Sequence, residues 1–268
     1  RLGAGFRTER IRKEDSSANG PVADRQHAWE LGASHPLSAQ WVAYGRVGRS
    51  FRLPAVDEFS FVATPDTILQ PQVSRDVELG LRRTAPRQKL EVRLFRSALT
   101  NEIGFDLEAP GSFGFGANFN LDPTRRQGIE LDLTQQVAER LSLRVNAIAR
   151  QAKFRSGPFA GNQVSLVPRQ TVALRADWLP LPRHRVSGGV QWVGRQYADF
   201  ANTRRLPSYA VADLRYAYEW KHLELALSVN NLFDRKYFSQ AFVQAFSGTL
   251  FVYPEPGRTF FATAKVQF

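Results

Sequence analysis

Apolar and polar residues alternate one by one through much of this chain. In the stretch LSLRVNAIARQ, Leu141, Leu143 and Val145 fall on one face, while Ser142 and Arg144 fall on the other. The same pattern recurs in VELGLRR, GIELDLTQQ, TVALRADW and HLELALSVNN. A period of two places successive side chains on opposite faces of a β-strand. The pattern therefore predicts an all-β protein.

The alternating stretches and the turn residues between them predict about twelve strands. The predicted strands are residues 1–13, 27–34, 39–51, 73–83, 88–103, 114–137, 141–155, 169–179, 184–198, 208–220, 222–232 and 257–268. Short connections (HPLS, TAPRQ, AERL, PLPRH and WKH) take turns with long ones near residues 14–26, 52–72, 104–113, 156–168, 199–207 and 233–256. Short turns at one end of a sheet and long loops at the other are typical of outer-membrane β-barrels.

A soluble β-sandwich and a membrane barrel produce the same alternation, so strand length and aromatic placement must decide between them. Several predicted strands exceed the usual five or six residues and reach the roughly nine to eleven that cross a bilayer. Tyr216, Tyr218 and Trp220 share an apolar face near a short turn, and Trp178 and Trp192 also fall on apolar faces. Such aromatic residues are typical of a membrane interface. We expect an antiparallel transmembrane β-barrel, with the sandwich as the alternative.

The charge of the chain is strongly positive, with a formal net charge of +11 that comes mainly from arginine. Nucleic-acid-binding proteins usually gather such charge on one face or in a tail. Here the arginines lie singly within alternating stretches and often stand two residues from an acid, so we expect no nucleic-acid partner. The sequence shows no phosphate-binding glycine loop, no metal-ligand spacing and no defensible Ser-His-acid set. We expect no catalytic residues, no metal site, no cofactor and no enzymatic activity.

Five stretches together resemble the carboxyl-terminal half of the barrel of TonB-dependent outer-membrane receptors. The first four are GRSFRLPAVDEF (48–59), LQPQVSRDVELGLRR (69–83), RRQGIELDL (125–133) and LVPRQTVALRADW (166–178). The fifth is SVNNLFDRKYF (228–238), followed by YPEPGRTFFATAKVQF (253–268). This last stretch is the most specific, because an Asn-Leu-Phe-Asp-x-x-Tyr turn and a terminal Pro-Gly-Arg strand occur in that order and at that distance.

The resemblance implies that residues 1–268 are the last twelve strands of a 22-stranded barrel, and that the amino-terminal plug and first barrel strands are absent. It implies a location in the outer membrane of a Gram-negative bacterium. The implied function is energy-coupled uptake of a scarce, large nutrient, with a ferric siderophore as the first expectation. Cobalamin, another metal chelate, or a passive porin or channel are the alternatives. Haem is disfavoured, because haem receptors of the family carry a histidine where residues 53–75 have none.

The resemblance also implies partners. These are the TonB complex, which would act through the absent amino-terminal part, the outer-membrane assembly machinery, the lipid bilayer and a ferric siderophore or similar chelate. Terminal Phe268 resembles the aromatic residue by which the assembly machinery recognises its clients. It is the expected assembly signal.

Polar residues of the alternating stretches are expected to face the barrel lumen, where they would bind the plug and one another. They are Glu78, Arg82, Glu91, Arg93, Glu130, Asp132, Arg144, Asn146, Arg150, Arg175, Asp213, Arg215, Glu219, Glu224 and Lys265. Their charges nearly balance, which favours a structural network over direct ligand contact.

Ligand contacts are expected from the long loops and the strand ends beside them. The candidates are Arg46, Arg49, Arg52, Arg195, Tyr197, Arg204, Arg205, Tyr237, Phe242, Phe246 and Tyr253. Arginine forks and aromatic faces suit an anionic, partly aromatic chelate. The alternative is that these residues are solvated loop arginines and interfacial aromatics.

Overall fold

A computed structural model describes residues 1–13, 22–64, 67–106, 109, 116–243 and 247–267. Phe246 and Phe268 lie outside these residues. The elements in chain order are β1 (Leu2–Lys13), β2 (Val22–Pro36), β3 (Trp41–Arg52), α1 (Val56–Ser60), β4 (Gln72–Ala85), β5 (Gln88–Thr100), β6 (Ile103–Asp106), β7 (Ala117–Asn120), β8 (Thr124–Ala138), β9 (Leu141–Phe154), β10 (Gln170–Trp178), β11 (His184–Val193), β12 (Gln196–Tyr197), β13 (Arg205–Leu206), β14 (Tyr209–Trp220), β15 (Leu223–Asn230), β16 (Phe238–Val243), β17 (Leu250–Pro254) and β18 (Thr259–Val266). None of the described helices is long and apolar enough to cross a membrane.

Twelve of these strands form one antiparallel sheet in the order β1-β2-β3-β4-β5-β8-β9-β10-β11-β14-β15-β18. Each strand of the sheet pairs with the next one along the chain, so the sheet is a meander whose edges are β1 and β18. The prediction of an all-β fold with about twelve antiparallel strands is confirmed. The other six strands pair two by two as the hairpins β6–β7, β12–β13 and β16–β17, which lie within the long connections.

Several predicted strand boundaries were wrong. The stretch predicted as one strand at 114–137 is two strands, β7 and β8, separated at residues 121–123. Pro123 has no N–H group to donate to a ladder, and β7 pairs with β6 outside the large sheet. The strand predicted at 184–198 ends at Val193, after which Gln196 and Tyr197 pair with β13. The sequence also did not predict the hairpins or α1.

The two faces of the sheet differ in chemistry. Cross-strand register places Val77, Leu79, Leu94 and Ile129 on one face, where they are 44–59% exposed. We call this the outward face. Glu78 and the residues in register with it lie on the opposite, inward face. A broad exposed apolar face suits lipid, whereas a soluble sandwich would bury it.

The strand ends define two rims. Turns of two to five residues join the strands at one rim, the short-turn end, and the long connections lie at the other, the long-loop end. Trp178, Tyr216 and Trp220 are exposed on the outward face near the short-turn end. Trp192 is paired with Val172 and lies toward the long-loop end. Aromatic side chains therefore stand near both limits of the outward apolar face.

Candidate functional site

Five charged side chains form a chain across five neighbouring strands of the inward face. Arg46 on β3 donates to Glu30 on β2 at 2.6 Å and to Glu78 on β4 at 2.9 Å. Arg93 on β5 lies 3.7 Å from Glu78 and donates to Glu130 on β8. We call these five residues the ion ladder. Two arginines alternate with three acids, so most of the charge is compensated within the sheet.

A second polar group lies next to the ion ladder, toward the short-turn end. Tyr44 donates its hydroxyl hydrogen to Glu91, and Arg82 donates to the same carboxylate at 3.2 Å. The Arg82 guanidinium also lies 5.2 Å from the centre of the Tyr44 ring. Gly80 stands directly opposite Tyr44 and leaves room for the ring. Tyr44 was not among the predicted lumen residues.

Other predicted lumen residues pair along the inward face. Asn146 donates to Asp132 across β8 and β9, and Arg215 donates to Glu224 at 2.7 Å across β14 and β15. Lys265 stands directly opposite Glu224 on β18. The inward face therefore carries polar residues as far as the last strand of the sheet.

Three predicted lumen residues have weaker or different contacts. Arg150 donates to the backbone oxygen of Pro168 at 3.0 Å, and Asp213 accepts from the Asn231 backbone N–H. Glu219 lies 3.9 Å from Arg185, and both side chains are more than half exposed.

Arg144 and Arg175 lie directly opposite each other on β9 and β10. Neither guanidinium forms a salt bridge with a described residue. Like charges that face each other across a sheet destabilise it. This pair therefore places positive charge on the inward face that no salt bridge with a described residue compensates.

The three arginines predicted near the end of β3 lie in different environments. Arg46 belongs to the ion ladder. Arg49 lies on the outward face opposite Arg75, and it donates to the His27 backbone oxygen and to Gln26 Oε1. Arg52 donates to both carboxylate oxygens of Glu58 on α1 at 3.0 Å. Of the three, only Arg52 contacts a long connection.

Three connections at the long-loop end pack together around aromatic rings. The Phe200 ring lies 6.1 Å from that of Phe119, 5.5 Å from that of Phe154 and 5.8 Å from that of Phe159, centre to centre. Buried Leu121, Ala152 and Val164 complete this core. We call the assembly of connections 155–169 and 194–208 with hairpins β6–β7 and β16–β17 the loop cluster. Such rings bury large apolar areas and hold the loops in one arrangement.

Polar contacts join the same connections. Asn162 donates to the backbone oxygen of Phe200 at 2.9 Å, and the Gln163 backbone N–H donates to Asn202 at 2.7 Å. Arg204 reaches hairpin β16–β17 by donating to the backbone oxygen of Gly248 at 2.9 Å. The loop cluster is therefore ordered by side-chain contacts between connections as well as within each one.

Asp199 fixes the turn that carries two of the predicted ligand residues. Its carboxylate accepts from the Thr203 hydroxyl at 2.7 Å and from the backbone N–H groups of Thr203 and Arg204 at 3.0 and 2.9 Å. Burial raises the pKa of Asp199, but these hydrogen bonds outweigh burial, and the pKa is lowered overall. Beyond this turn, the Arg205 guanidinium lies 5.6 Å from the centre of the Tyr197 ring.

A cleft of about 150 Å³ opens between the members of the loop cluster. It is lined by Phe159, Asp199 and Phe200 from two connections and by Phe242 from hairpin β16–β17. The Phe242 ring stacks on that of Phe251 at 5.3 Å and lies 5.7 Å from that of Tyr253. Arg195 is exposed nearby in the chain. The surface offers aromatic faces beside arginine side chains.

The Asn-Leu-Phe-Asp turn closes the base of the last long connection. Buried Asn231 donates to the backbone oxygens of Arg235 and Pro256, at 2.9 and 3.2 Å. Asp234 accepts from the Arg258 backbone N–H at 2.8 Å. The turn and the Pro-Gly-Arg segment, twenty or more residues apart in the sequence, are therefore hydrogen-bonded to each other.

Tyr237 follows this turn and packs 4.5 Å from the ring of Tyr209. Burial and the negative charges of Glu255 and Asp213 raise the pKa of the Tyr237 hydroxyl. The hydroxyl is therefore uncharged at neutral pH.

The main residues that sequence reasoning missed in the loop cluster are Phe159, Phe200 and Asn202. Phe159 and Phe200 stand in connections, RSGPFAG and ADFANT, that otherwise consist of small and polar residues. An isolated aromatic residue in such a stretch is the signal that could have indicated a packed loop.

Comparison with known proteins agrees with this architecture. The sequence profile described as TonB dependent receptor-like, beta-barrel, matches residues 1–232. The ferrioxamine receptor of Yersinia enterocolitica is 27% identical over 195 residues, which cover 68% of this chain and 26% of the receptor. A vitamin B12 transporter of Vibrio vulnificus is 24% identical, with coverage of 96% of this chain and 39% of the transporter. The chain spans well under half of the length of these relatives.

Solved structures share the fold. The ferric yersiniabactin uptake receptor FyuA of Yersinia pestis superposes with a TM-score of 0.80 at 21% identity, covering 100% of this chain and 43% of the receptor. The sequence profile accounts for most of the chain, from β1 into the turn that follows β15. The protein belongs to the TonB-dependent receptor family of outer-membrane β-barrels.

Proposed function

We propose that the protein takes part in TonB-dependent uptake of a ferric siderophore across the outer membrane. The observation that carries the proposal is the loop cluster, an ordered aromatic and arginine-bearing surface at the long-loop end. In outer-membrane barrels the long loops are extracellular, so this surface would meet cargo before it enters the lumen. The names of the ferrioxamine and ferric yersiniabactin receptors support this cargo class.

The loop cluster would bind the cargo through two kinds of group. Arg195, Arg204 and Arg205 would contact anionic oxygens of the chelate, because a guanidinium donates in a planar fork. The aromatic faces of Tyr197, Tyr237, Phe242 and Tyr253 would pack against its apolar parts. Arg52 would border the same space from α1. Uptake would require no covalent chemistry and no resident cofactor of the protein.

The inward face would hold the plug of the whole receptor. The ion ladder already compensates much of its own charge. Arg144 and Arg175 do not, and we propose that acidic groups of the plug pair with them. TonB would act on the plug from the periplasmic side.

The test is growth of an iron-starved deletion strain that carries the full-length gene. Ferrioxamine, ferric yersiniabactin and other ferric siderophores are supplied singly as the iron source, and cobalamin is supplied to a strain that depends on it. We expect rescue by a ferric siderophore, and loss of that rescue when TonB is deleted. Rescue confined to cobalamin would overturn the siderophore assignment, and TonB-independent rescue would indicate a passive channel.

Substitutions in the loop cluster test whether cargo binds there. Arg204→Gln combined with Arg205→Gln should weaken cargo binding at least tenfold, because each lost charged hydrogen bond costs about 1.5–3 kcal/mol. Arg183→Gln, an exposed arginine in a short turn, is the matched control and should leave binding unchanged. Equal loss in both variants would exclude the loop cluster as the binding surface.

Assembly is a separate proposal. Removal of Phe268 should lower the amount of receptor inserted in the outer membrane, while receptor that does insert binds cargo normally. Insertion is measured by the amount of folded barrel in outer-membrane fractions.

A further inference from the structure

A pocket of about 780 Å³ opens on the inward face at the short-turn end. Its inward side chains come from five neighbouring strands, β5, β8, β9, β10 and β11, and the short turns beside these strands form its rim. Neither the loop cluster nor the ion ladder contributes a residue to it. We call it the exit pocket. Its basic lining residues are Arg87, Lys89, Arg140, Arg144 and Arg185.

Strand register aligns basic residues in and beside the exit pocket. Lys89 on β5 stands opposite Thr134 on β8, which in turn stands opposite Arg144 on β9. Arg144 stands opposite Arg175 on β10. Lys89 is four residues from Arg93 of the ion ladder, and residues four apart on a strand share a face. This inward row therefore carries three cations and one hydroxyl group, without an acid to separate them.

The described residues compensate little of the charge in the pocket. Of its five basic residues, only Arg185 forms a salt bridge with a described residue. That partner is Glu219 at 3.9 Å, and both side chains are more than half exposed, so solvent screens the pair. The acidic lining residues are Glu139 and Asp177. Five cations against two acids leave an excess of three positive charges.

Inward cations on both sides of the exit pocket stand beside acids. Arg82 on β4 pairs with Glu91 on β5 at 3.2 Å. Arg215 on β14 pairs with Glu224 on β15 at 2.7 Å. The excess of positive charge is therefore a property of the pocket and not of the whole inward face at this end.

The volume and the lining of the pocket fit an oxygen-rich anion of the size of a chelate. Small-molecule pockets measure about 300–1,000 Å³, and the exit pocket lies within this range. Thr134, Gln136 and Ser142 place hydroxyl and amide groups between the cations. Guanidinium groups donate planar pairs of hydrogen bonds to anionic oxygens.

The exit pocket and the loop cluster lie at opposite ends of the same strands. Phe154 belongs to the core of the loop cluster, and Ser142, twelve residues earlier on β9, lines the exit pocket. At about 3.3 Å per residue the two positions are about 40 Å apart along the strand. The short turns of outer-membrane barrels are periplasmic. The pocket therefore lies where cargo would leave the lumen.

The exposure of the lining favours weak binding. All five basic residues of the pocket are exposed. Opposite charges that remain in contact with water attract each other only weakly. A site on a transport path has to attract its ligand and also release it. An open, positively charged pocket meets both requirements.

We infer that the exit pocket is a transit site, which binds the anionic ferric chelate at the periplasmic mouth of the barrel after the chelate has left the loop cluster. The inference rests on the proposed siderophore uptake. It gives Arg144 two successive partners. Acidic groups of the plug pair with it first, as proposed above, and anionic oxygens of the chelate follow once the plug has moved. No covalent step is involved.

The test compares uptake and binding of one iron-55 ferric siderophore, the one that gives the strongest rescue in the growth test. Uptake is measured on cells with the full-length receptor, and binding on the same cells without TonB. Lys89→Gln with Arg140→Gln should leave binding unchanged, because neither residue belongs to the loop cluster. The maximal uptake rate should fall about fivefold, the effect of losing two exposed charge pairs. Lys89→Glu with Arg140→Glu should lower the rate further, because carboxylates repel the anion.

Two further variants separate charge from other effects. Lys89→Arg with Arg140→Lys conserves the charge and should keep the wild-type uptake rate, which a purely structural role of these side chains would not predict. Arg183→Gln with Lys221→Gln removes two exposed cations from short turns outside the pocket and is the matched control. It should change neither binding nor uptake.

The amount of folded receptor is measured for every variant by its shift in electrophoretic mobility on heating, and rates are expressed per folded receptor. If the glutamine pair fails to fold, Lys89→Gln alone should lower the rate about twofold. Wild-type uptake in the glutamine variants, or an equal fall in the matched control, would overturn the exit pocket and leave siderophore uptake standing. Absence of uptake by the wild-type receptor would overturn the proposed function, and the exit pocket with it.

Discussion

Tyr44 and Gly80 stand directly opposite each other on β3 and β4, and the Tyr44 ring fills the space that a side chain at position 80 would need. A methyl group at Gly80 would overlap the ring atoms of Tyr44. The glycine therefore lets the tyrosine lie across the inward face and reach Glu91 on the next strand.

The Gly80→Ala variant should lose about 1–3 kcal/mol of unfolding free energy, the usual cost of forcing extra atoms into an occupied space. Tyr44→Phe keeps the ring and loses only the hydrogen bond to Glu91, so it should lose about 1 kcal/mol. Both are measured by urea unfolding of the full-length receptor in lipid vesicles. If the clash is the cause, Gly80→Ala should cost less in a Tyr44→Ala background than in the wild type. Additive effects would refute this.

Glu78→Gln should destabilise the barrel by about 1 kcal/mol, because Glu78 accepts from Arg46 and faces Arg93. The Glu78 side chain is only 16% exposed, but both arginines are more than one-third exposed, so solvent screening reduces the loss. Glu219→Gln is the matched control, since Glu219 is 53% exposed and 3.9 Å from its arginine. Urea midpoints should fall for the first variant and remain unchanged for the second.

Phe200→Ala should loosen the loop cluster and leave the barrel intact. Phe200 contacts three other phenylalanine rings at the long-loop end, and none of these rings stands at an outward position of the large sheet. We expect faster proteolysis of connections 155–169 and 194–208 on intact cells and at least tenfold weaker cargo binding. Phe233→Ala, which removes a ring that is 78% exposed, is the control. A lower urea midpoint for the barrel, with connections 155–169 and 194–208 as resistant to protease as in the wild type, would contradict this prediction.

The loop that Asp199 organises should be sensitive to acid. The lowered pKa of Asp199 means that its charged form stabilises the fold. This stabilisation is complete above the ordinary aspartate value of about 3.9 and is lost as pH falls through the lowered pKa. A spin label at Ala201→Cys, an exposed site, should become mobile in that acidic range. In an Asp199→Asn background the label should be more mobile at neutral pH and show no such transition.

The positions of most strands could be predicted from the sequence, because a sheet with one apolar and one polar face requires apolar and polar residues to alternate, as in β9 and β15. The pairing order followed from the alternation of short and long connections. The hairpins β6–β7, β12–β13 and β16–β17 could not be predicted in this way, because their pairing depends on which loops meet at the long-loop end. Pro123 was a local signal for the break before β8 that the strand prediction passed over.

Of the predicted lumen residues, Glu78, Arg93 and Glu130 come together in the ion ladder, since register fixes which polar residues are neighbours. Arg46 and Arg49 show the limit of sequence reasoning. They are three residues apart and were predicted for one role, yet three residues along a strand place them on opposite faces. A single sequence does not say which arginines share a face until the strand register is known.

The ion ladder runs across the strands, around the circumference of the barrel wall. Backbone hydrogen bonds tie each strand to its neighbours, and the ladder adds a second tie from Glu30 on β2 to Glu130 on β8. We expect these cross-strand contacts to resist separation of β2, β3, β4, β5 and β8. If acidic groups of a plug pair with Arg144 and Arg175, as proposed above, the plug would release there without breaking any contact of the ion ladder.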